Sequence, residues 1–332
     1  MTHATHQAAP NTTSQAPPDS SSAPAAAPAS MFESVRLAAG DIKLSHSVFA
    51  LPFAVLGAFL ARAEGSSWGR FAGQAALVVG CMVLARTWAM LVNRLADARF
   101  DAANPRTVRR AIASGRLSSG RGWALALACA AGFVGLCAAF WVFFDNPWPT
   151  YLCVPVLAWL ALYSYAKRFT MLCHVLLGSA LAISPPSAAL AVEPSALASS
   201  PALWLLAGMV LCWVAGFDVI YALQDVEFDR RAGLHSLPSR LGVGDAGPRR
   251  AIWLVRGLHA LALAFLVAAW RSEPRLGLIF GAAVALAGVL LVMEHVVLAR
   301  RGLAGLPMAF FTLNGIISVT LGLAGIIDLT IA

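Results

Sequence analysis

Charge is the first thing this chain is short of. Asp, Glu, Lys and Arg make up 12% of its 332 residues, about half the share of roughly 25% usual in soluble domains. Ordered cysteine spacing is missing as well. The six cysteines (Cys81, Cys129, Cys137, Cys153, Cys173 and Cys212) are scattered through apolar stretches with no CxxC pair. Neither a zinc site nor a disulfide framework follows from such spacing, and small apolar packing residues are expected instead. The N-terminal stretch has neither a basic start nor an apolar core, so it does not read as a cleaved signal peptide. What the chain has in quantity is apolar: 59% hydrophobic residues, with 10 Trp and 27 Gly, and a mean hydropathy of +0.73. Helices packed through small residues, with Trp near the bilayer interfaces, have this composition. The expected class is an all-α integral membrane protein.

Residues 1–30 are Ala-, Pro-, Ser- and Thr-rich and cannot bury enough apolar surface to offset ordering, so a disordered tail is expected there. Residues 31–332 form the membrane domain. Windows of about 20 apolar residues can cross a bilayer, and nine occur, near 44–62, 71–92, 122–144, 148–165, 171–192, 202–222, 251–270, 276–299 and 305–327. The fourth is short and carries Pro149 and Pro155, which leaves eight as the rival count. The segments that follow even-numbered windows carry 16 of the 24 Lys and Arg residues, those that follow odd-numbered ones four. Positive-inside bias then puts the even loops and the N-terminus in the cytoplasm. The formal charge of +8 is therefore topological, met by lipid phosphates or an anionic substrate rather than by nucleic acid.

Two acidic clusters fall on that cytoplasmic side. "NRLADARFD" holds Asn93, Asp97 and Asp101; "FDVIYALQDVEFDRRAGLHS" holds Asp218, Asp225 and Asp229. Residues four apart on a helix share a face, so each DxxxD would aim two carboxylates at one point. Magnesium prefers such oxygen ligands and commonly bridges carboxylates to substrate phosphates. Nearby arginines, with Lys167 and Arg168, would take the remaining phosphate oxygens. The competing reading is that the acids cap a basic loop and pair with its arginines. Unpaired acids at this depth are costly, and two matching motifs on matching helix ends favour the metal reading.

These stretches resemble the UbiA superfamily of intramembrane prenyltransferases over roughly residues 36–328. The family's first motif, NDxxDxxxD, is matched by Asn93, Asp97 and Asp101, with Arg94 replacing its second residue. Its D-x-x-Y-A-x-x-D arrangement is matched by Asp218, Tyr221 and Asp225, with Asp229 following. "YSYAKRFTMLCHVLLG" resembles a stretch that carries Lys167 and Arg168, and "NPRTVRRAIASGRLS" resembles an Arg-containing cap that includes Arg106. The resemblance implies a nine-helix bundle with a cytoplasmic cap over a central cavity, in the bacterial inner membrane. It implies Mg²⁺-dependent transfer of a polyprenyl group from a polyprenyl diphosphate to an aromatic acid. Asn93, Asp97, Asp101, Asp225 and Asp229 would be metal ligands. Lys167, Arg168, Arg106 and Tyr221 would bind substrate, with Arg168 also stabilising the leaving group. Asp218 would orient the acceptor or ease its proton loss, or else bond structurally to a neighbouring helix. Lys43 and His46 lie where they could meet an aromatic carboxylate, or Lys43 could snorkel to the interface.

The branch most resembled is the 4-hydroxybenzoate polyprenyltransferase-like group. His235 stands where many ubiquinone-pathway members have Lys, which keeps a dihydroxynaphthoate acceptor for menaquinone open. A proton-coupled secondary transporter is the alternative from another class, but its acids would lie near the midplane. A CDP-alcohol phosphotransferase needs a DG-x-x-AR stretch that neither acidic segment supplies. Nine crossings from a cytoplasmic N-terminus put Ala332 on the periplasmic side. A single cysteine there, in a background without the native six, should react with an impermeant thiol reagent in intact cells; labelling only after lysis would refute the count or the orientation.

Overall fold

A computed structural model describes Met1 and residues 31–42, 49–63 and 65–331. Lys43, His46 and nearly all of the predicted tail lie outside the described residues. An amphipathic helix α1 (Met31–Ile42) comes first, followed by the short apolar α2 (Leu51–Leu60) and then α3 (Trp68–Ala96). A brief α4 (Ala98–Ala103) leads through a turn-rich segment to α5 (Ser119–Phe144) and α6 (Trp148–Ala166). Next come α7 (Cys173–Ala182), α8 (Ser184–Val192), α9 (Ala196–Ser199) and α10 (Pro201–Ala222). The second half continues with α11 (Val226–Arg231), α12 (Leu237–Arg240), α13 (Ala246–Ser272), α14 (Leu278–Arg301) and α15 (Asn314–Ile331).

Among the described residues, eight helical segments are long and apolar enough to cross a membrane. They correspond to the second through ninth sequence windows. The first window, 44–62, falls partly outside the described residues, and its described part is helical only over Leu51–Leu60. The window at 171–192 is broken in the middle. Pro185 and Pro186 open α8, where a missing N–H is harmless because the first turn has no partner for it, so the chain restarts as a second helix after Ile183.

α10 is the axis of the bundle. Of its apolar window 67% is buried, against 22–50% in the other seven, and it packs against α7 on one side and α13 on the other. Such close approach needs small residues. At Gly178 on α7, a Cβ would lie 2.5 Å from the Leu211 carbonyl oxygen on α10; at Gly57 on α2, one would lie 2.3 Å from the Pro185 carbonyl oxygen on α8. In both cases the obstacle is backbone, so no rotamer change relieves it. Phe53, Leu56, Leu203, Leu206, Trp213 and Ile317 fill the core around this axis with no more than 1% exposure each.

Gly178→Val should therefore force α7 and α10 apart and cost about 1–3 kcal/mol of stability. Gly135→Ala, where nothing lies within 4 Å, should be near neutral. Thermal unfolding of the two purified variants in detergent compares them directly, and equal transition temperatures would contradict the backbone contact.

Candidate functional site

Both acidic motifs sit where a long helix breaks, not on a continuous helical face. α3 ends at Ala96, and Asp97 adopts φ −88° and ψ 4° before α4 begins. α10 ends at Ala222, a 3-10 turn covers Leu223–Asp225, and α11 follows. In both motifs the first aspartate is the N-cap residue of the short helix that carries the second, α4 or α11, and the Asp101 N–H bonds the Asp97 carbonyl at 2.8 Å, so the break separates each pair from the long helix before it.

Each motif carboxylate has a basic partner held by another element or loop, and Asn93 Nδ2 also donates to Asp97 at 3.3 Å. Arg106, in the segment after α4, grips Asp225 with two nitrogens, Nε to Oδ1 at 3.0 Å and Nη2 to Oδ2. Asn104 Nδ2 also donates to Asp225, at 3.1 Å, so the end of the first motif reaches across to the second. Arg110 Nη1 donates to both oxygens of Asp101, at 2.7 and 2.8 Å. The two bases that end α6 divide between the motifs: Lys167 Nζ lies 2.8 Å from Asp229, and Arg168 Nη2 lies 3.2 Å from Asp97 and 2.6 Å from the Ala96 carbonyl. Arg106 Nη1 also donates to the Tyr221 hydroxyl at 3.1 Å.

Burial raises the Asp97 carboxyl above the usual carboxylate range; Asp101 adds to this, while Arg168, Lys167 and Arg94 offset it. Lys167 shows the opposite balance. Burial works to lower its pKa, but Asp229, Asp225 and Cys173 together outweigh that and leave it raised.

A cavity of about 440 Å³ runs from this charged end into the bundle. Asn93, Asp97, Arg106, Lys167, Asp218, Tyr221 and Asp225 line its polar end, with Arg94 and Arg110 beside them. Phe133, Phe140, Leu152, Val156 and Leu160 line the apolar remainder. Asp101, Asp229 and Arg168 are not among the lining residues, so the structure gives Arg168 contacts to Asp97 and the chain rather than to the cavity. Lys43 lies outside the described residues.

Three lining residues escaped the sequence reading. Arg86 sits seven residues, two helical turns, before Asn93, and so on the same face of α3. It lines the cavity, and its Nε is buried without a hydrogen-bond partner. His174 on α7 meets Asp218 through Nδ1 at 2.6 Å, while its Nε2 accepts the backbone N–H of Leu237 at 3.2 Å. That backbone donor fixes the tautomer: the ring proton sits on Nδ1 and points at Asp218. Tyr163 also borders the cavity. Tyr163 and His174 fall within the 163–178 stretch already singled out for Lys167 and Arg168, whereas Arg86 is a lone Arg in an apolar run.

The donor set suits a hard divalent cation, since the two motifs offer only oxygen ligands and, beside the Asp229 oxygen that faces Lys167, the second oxygen of this fully buried carboxylate has no hydrogen-bond partner. Among the described residues, however, no three Asp, Glu, His or Cys side chains converge closely enough to share one ion. Each motif carboxylate instead faces a base, the arrangement expected from the competing sequence reading.

The UbiA prenyltransferase family matches residues 50–316. A 4-hydroxybenzoate octaprenyltransferase of Edwardsiella ictaluri is 33% identical over 246 residues, 73% of this chain and 79% of that protein. One from Stutzerimonas stutzeri is 34% identical over 192 residues, and the match spans 58% of this chain and only 60% of that relative. The apo structure of a UbiA homologue from Aeropyrum pernix superposes with a TM-score of 0.74 at 31% identity, covering 86% of this chain and 98% of that one. A homologue from Archaeoglobus fulgidus bound to GPP and Mg²⁺ shares the fold at 19% identity, with a TM-score of 0.65 over 89% of this chain and 99% of that one.

The Lys167–Asp229 pair has a measurable signature. Lys167→Met strands a carboxylate that is fully buried and should cost about 3–5 kcal/mol. Adding Asp229→Asn should recover most of that loss without restoring function. Thermal denaturation of the two variants checks this, and a double variant no more stable than the single one would mean that the two do not act as a pair.

Proposed function

Because the chain belongs to the UbiA prenyltransferase family, we propose that it transfers a polyprenyl group from a polyprenyl diphosphate to an aromatic acid, 4-hydroxybenzoate first among acceptors, in quinone synthesis. The observation that carries this reading is the junction of a many-based polar end with an apolar cavity. An allylic diphosphate has that same division, a multiply charged head on a hydrocarbon chain. The basic loops flanking the motifs support a site that opens toward the cytoplasm.

Mg²⁺, held by Asn93, Asp97, Asp101, Asp225 and Asp229, would neutralise charge on the departing diphosphate. Arg106, Arg110 and Lys167 line the cavity and exchange their aspartate partners for phosphate oxygens, which frees those carboxylates for the metal. Arg168 positions Asp97 and the end of α3 and does not grip the diphosphate itself. The allylic C–O bond breaks, and its electron pair leaves with the diphosphate. The acceptor ring attacks C1, and the displaced ring proton passes to Asp218. The Nδ1–H of His174 holds one Asp218 oxygen, which orients the carboxylate and leaves the second oxygen for the substrate. The apolar walls exclude water while the cation exists.

Arg86 is the group best suited to the acceptor's carboxylate. It lies deeper than the motif end, and a guanidinium nitrogen there lacks a partner. A planar fork of donors matches a carboxylate.

Purified protein with Mg²⁺ and a radiolabelled polyprenyl diphosphate, offered 4-hydroxybenzoate and 1,4-dihydroxy-6-naphthoate side by side, tests the reading and identifies the acceptor. Asp97→Ala and Asp225→Ala should each lose at least about 100-fold in turnover. Arg86→Met should raise the acceptor's KM about tenfold and leave the KM for prenyl diphosphate unchanged. No transfer to either acid by the wild-type chain would overturn the assignment.

A further inference from the structure

Behind the cavity wall lies a buried polar cluster for which the proposed chemistry has no use. Asn314, the first residue of α15, and Glu294 on α14 are both 0% exposed. The Asn314 Nδ2 group donates to the carbonyls of Ala309 (2.9 Å) and Phe310 (3.3 Å) and to Glu294 Oε1 (3.2 Å). Its Oδ1 accepts the indole N–H of Trp213 on α10 at 2.5 Å. Ala309 and Phe310 belong to a π-helical turn, Met308–Leu313. Such a turn widens the helix and disturbs its hydrogen-bond ladder, and here the Asn314 amide bonds two of its carbonyls.

The turn presents Phe310 to the cavity. Its ring lies 4.5 Å from Tyr221, 5.2 Å from Phe217 and 5.8 Å from Phe49, centre to centre, and all four rings line the cavity. Tyr221 is bonded to Arg106, which holds Asp225. The aromatic wall therefore starts where a bound diphosphate would end, beside the carbon that becomes cationic. Packing alone would not call for Asn and Glu here: buried polar groups in a membrane bundle are costly, and apolar residues of similar volume would fill the space.

We propose that Asn314 and Glu294 are positioning residues: by fixing the π turn they hold Phe310 in the aromatic wall, and so set how the allylic cation divides between the acceptor and water. Capture by the acceptor forms a C–C bond and releases the ring proton. Capture by water forms a C–O bond, giving the prenyl alcohol and one proton. A wall held in place stabilises the cation through its ring faces and keeps water out; a loosened wall does neither. This inference rests on the prenyl-transfer reading above.

The test uses the full chain in detergent with geranyl diphosphate, Mg²⁺ and 4-hydroxybenzoate. It measures prenylated acid and geraniol separately, after thermal unfolding has confirmed that each variant is folded. Asn314→Ala and Glu294→Ala should lower kcat about tenfold and raise the geraniol fraction about fivefold, with both KM values within about twofold of wild type. Glu294→Gln keeps an oxygen for Asn314 and should restore the wild-type product ratio. Phe310→Leu, which removes the ring and leaves the polar cluster alone, should reproduce the Asn314→Ala ratio. If the alanine variants fail to fold, the Phe310→Leu and Glu294→Gln ratios decide the matter alone. A wild-type product ratio in Phe310→Leu, or in folded Asn314→Ala, overturns the proposal. Geranyl diphosphate left unconsumed by the wild-type chain overturns the function reading instead.

Discussion

Four carboxylates at the ends of membrane helices must each be neutralised, and the way this chain does so organises everything around the cavity. Asp97, Asp101, Asp225 and Asp229 are paired with Arg168, Arg110, Arg106 and Lys167 respectively. Removing a charge from water costs several kcal/mol unless a partner of opposite sign replaces the solvent. Three of the four partners come from elsewhere in the fold, so those pairs fasten one segment to another, while Arg110 and Asp101 are only nine residues apart. Arg106 ties the segment after α4 to the break below α10, and Lys167 and Arg168 tie the end of α6 to both motifs. The charged end of the bundle is closed by electrostatics, while the rest is closed by apolar packing around α10.

The same pairs define a poised site. A base held by a carboxylate is already desolvated and oriented, and a phosphate oxygen can replace the carboxylate without the base having to be drawn out of water. That is the physical content of preorganisation. The lining residues separate two roles within the motifs. Asn93, Asp97 and Asp225 line the cavity, whereas Asp101 and Asp229 meet it only through Arg110 and Lys167, the lining bases they are paired with. Deeper in, Arg86 and the His174–Asp218 pair bring polar groups to the stretch of wall between the charged end and the hydrocarbon end, where an aromatic acid bearing one carboxylate and one transferable proton would sit.

The two kinds of helix break serve different ends. Those at Asp97 and Leu223–Asp225 end the long helices and start the short ones that carry the motif carboxylates. The π turn at Met308–Leu313 turns an aromatic ring into the cavity and is held from behind by Asn314. At Asp97 and Asp225 the irregular backbone is held by side chains of other segments, Arg168 and Arg106 with Asn104, whereas the π turn is held by Asn314, the residue that directly follows it.

The sequence by itself determined the membrane class, eight of the crossing segments, the two acidic motifs and the basic segments beside them. These are signals carried by neighbouring residues: an apolar run declares itself by length, and a motif by spacing. Tertiary structure alone decided which base meets which acid. Arg106 and Asp225 are 119 residues apart, and nothing local distinguishes Arg106 from Arg110 as the partner. It also decided that Arg168 serves Asp97, that Arg86 and His174 face the cavity, and that both motifs lie on helix breaks. A lone Arg or His in an apolar run reads the same whether it faces lipid, core or cavity; only the packing of α3, α7 and α10 around one space gives it a direction.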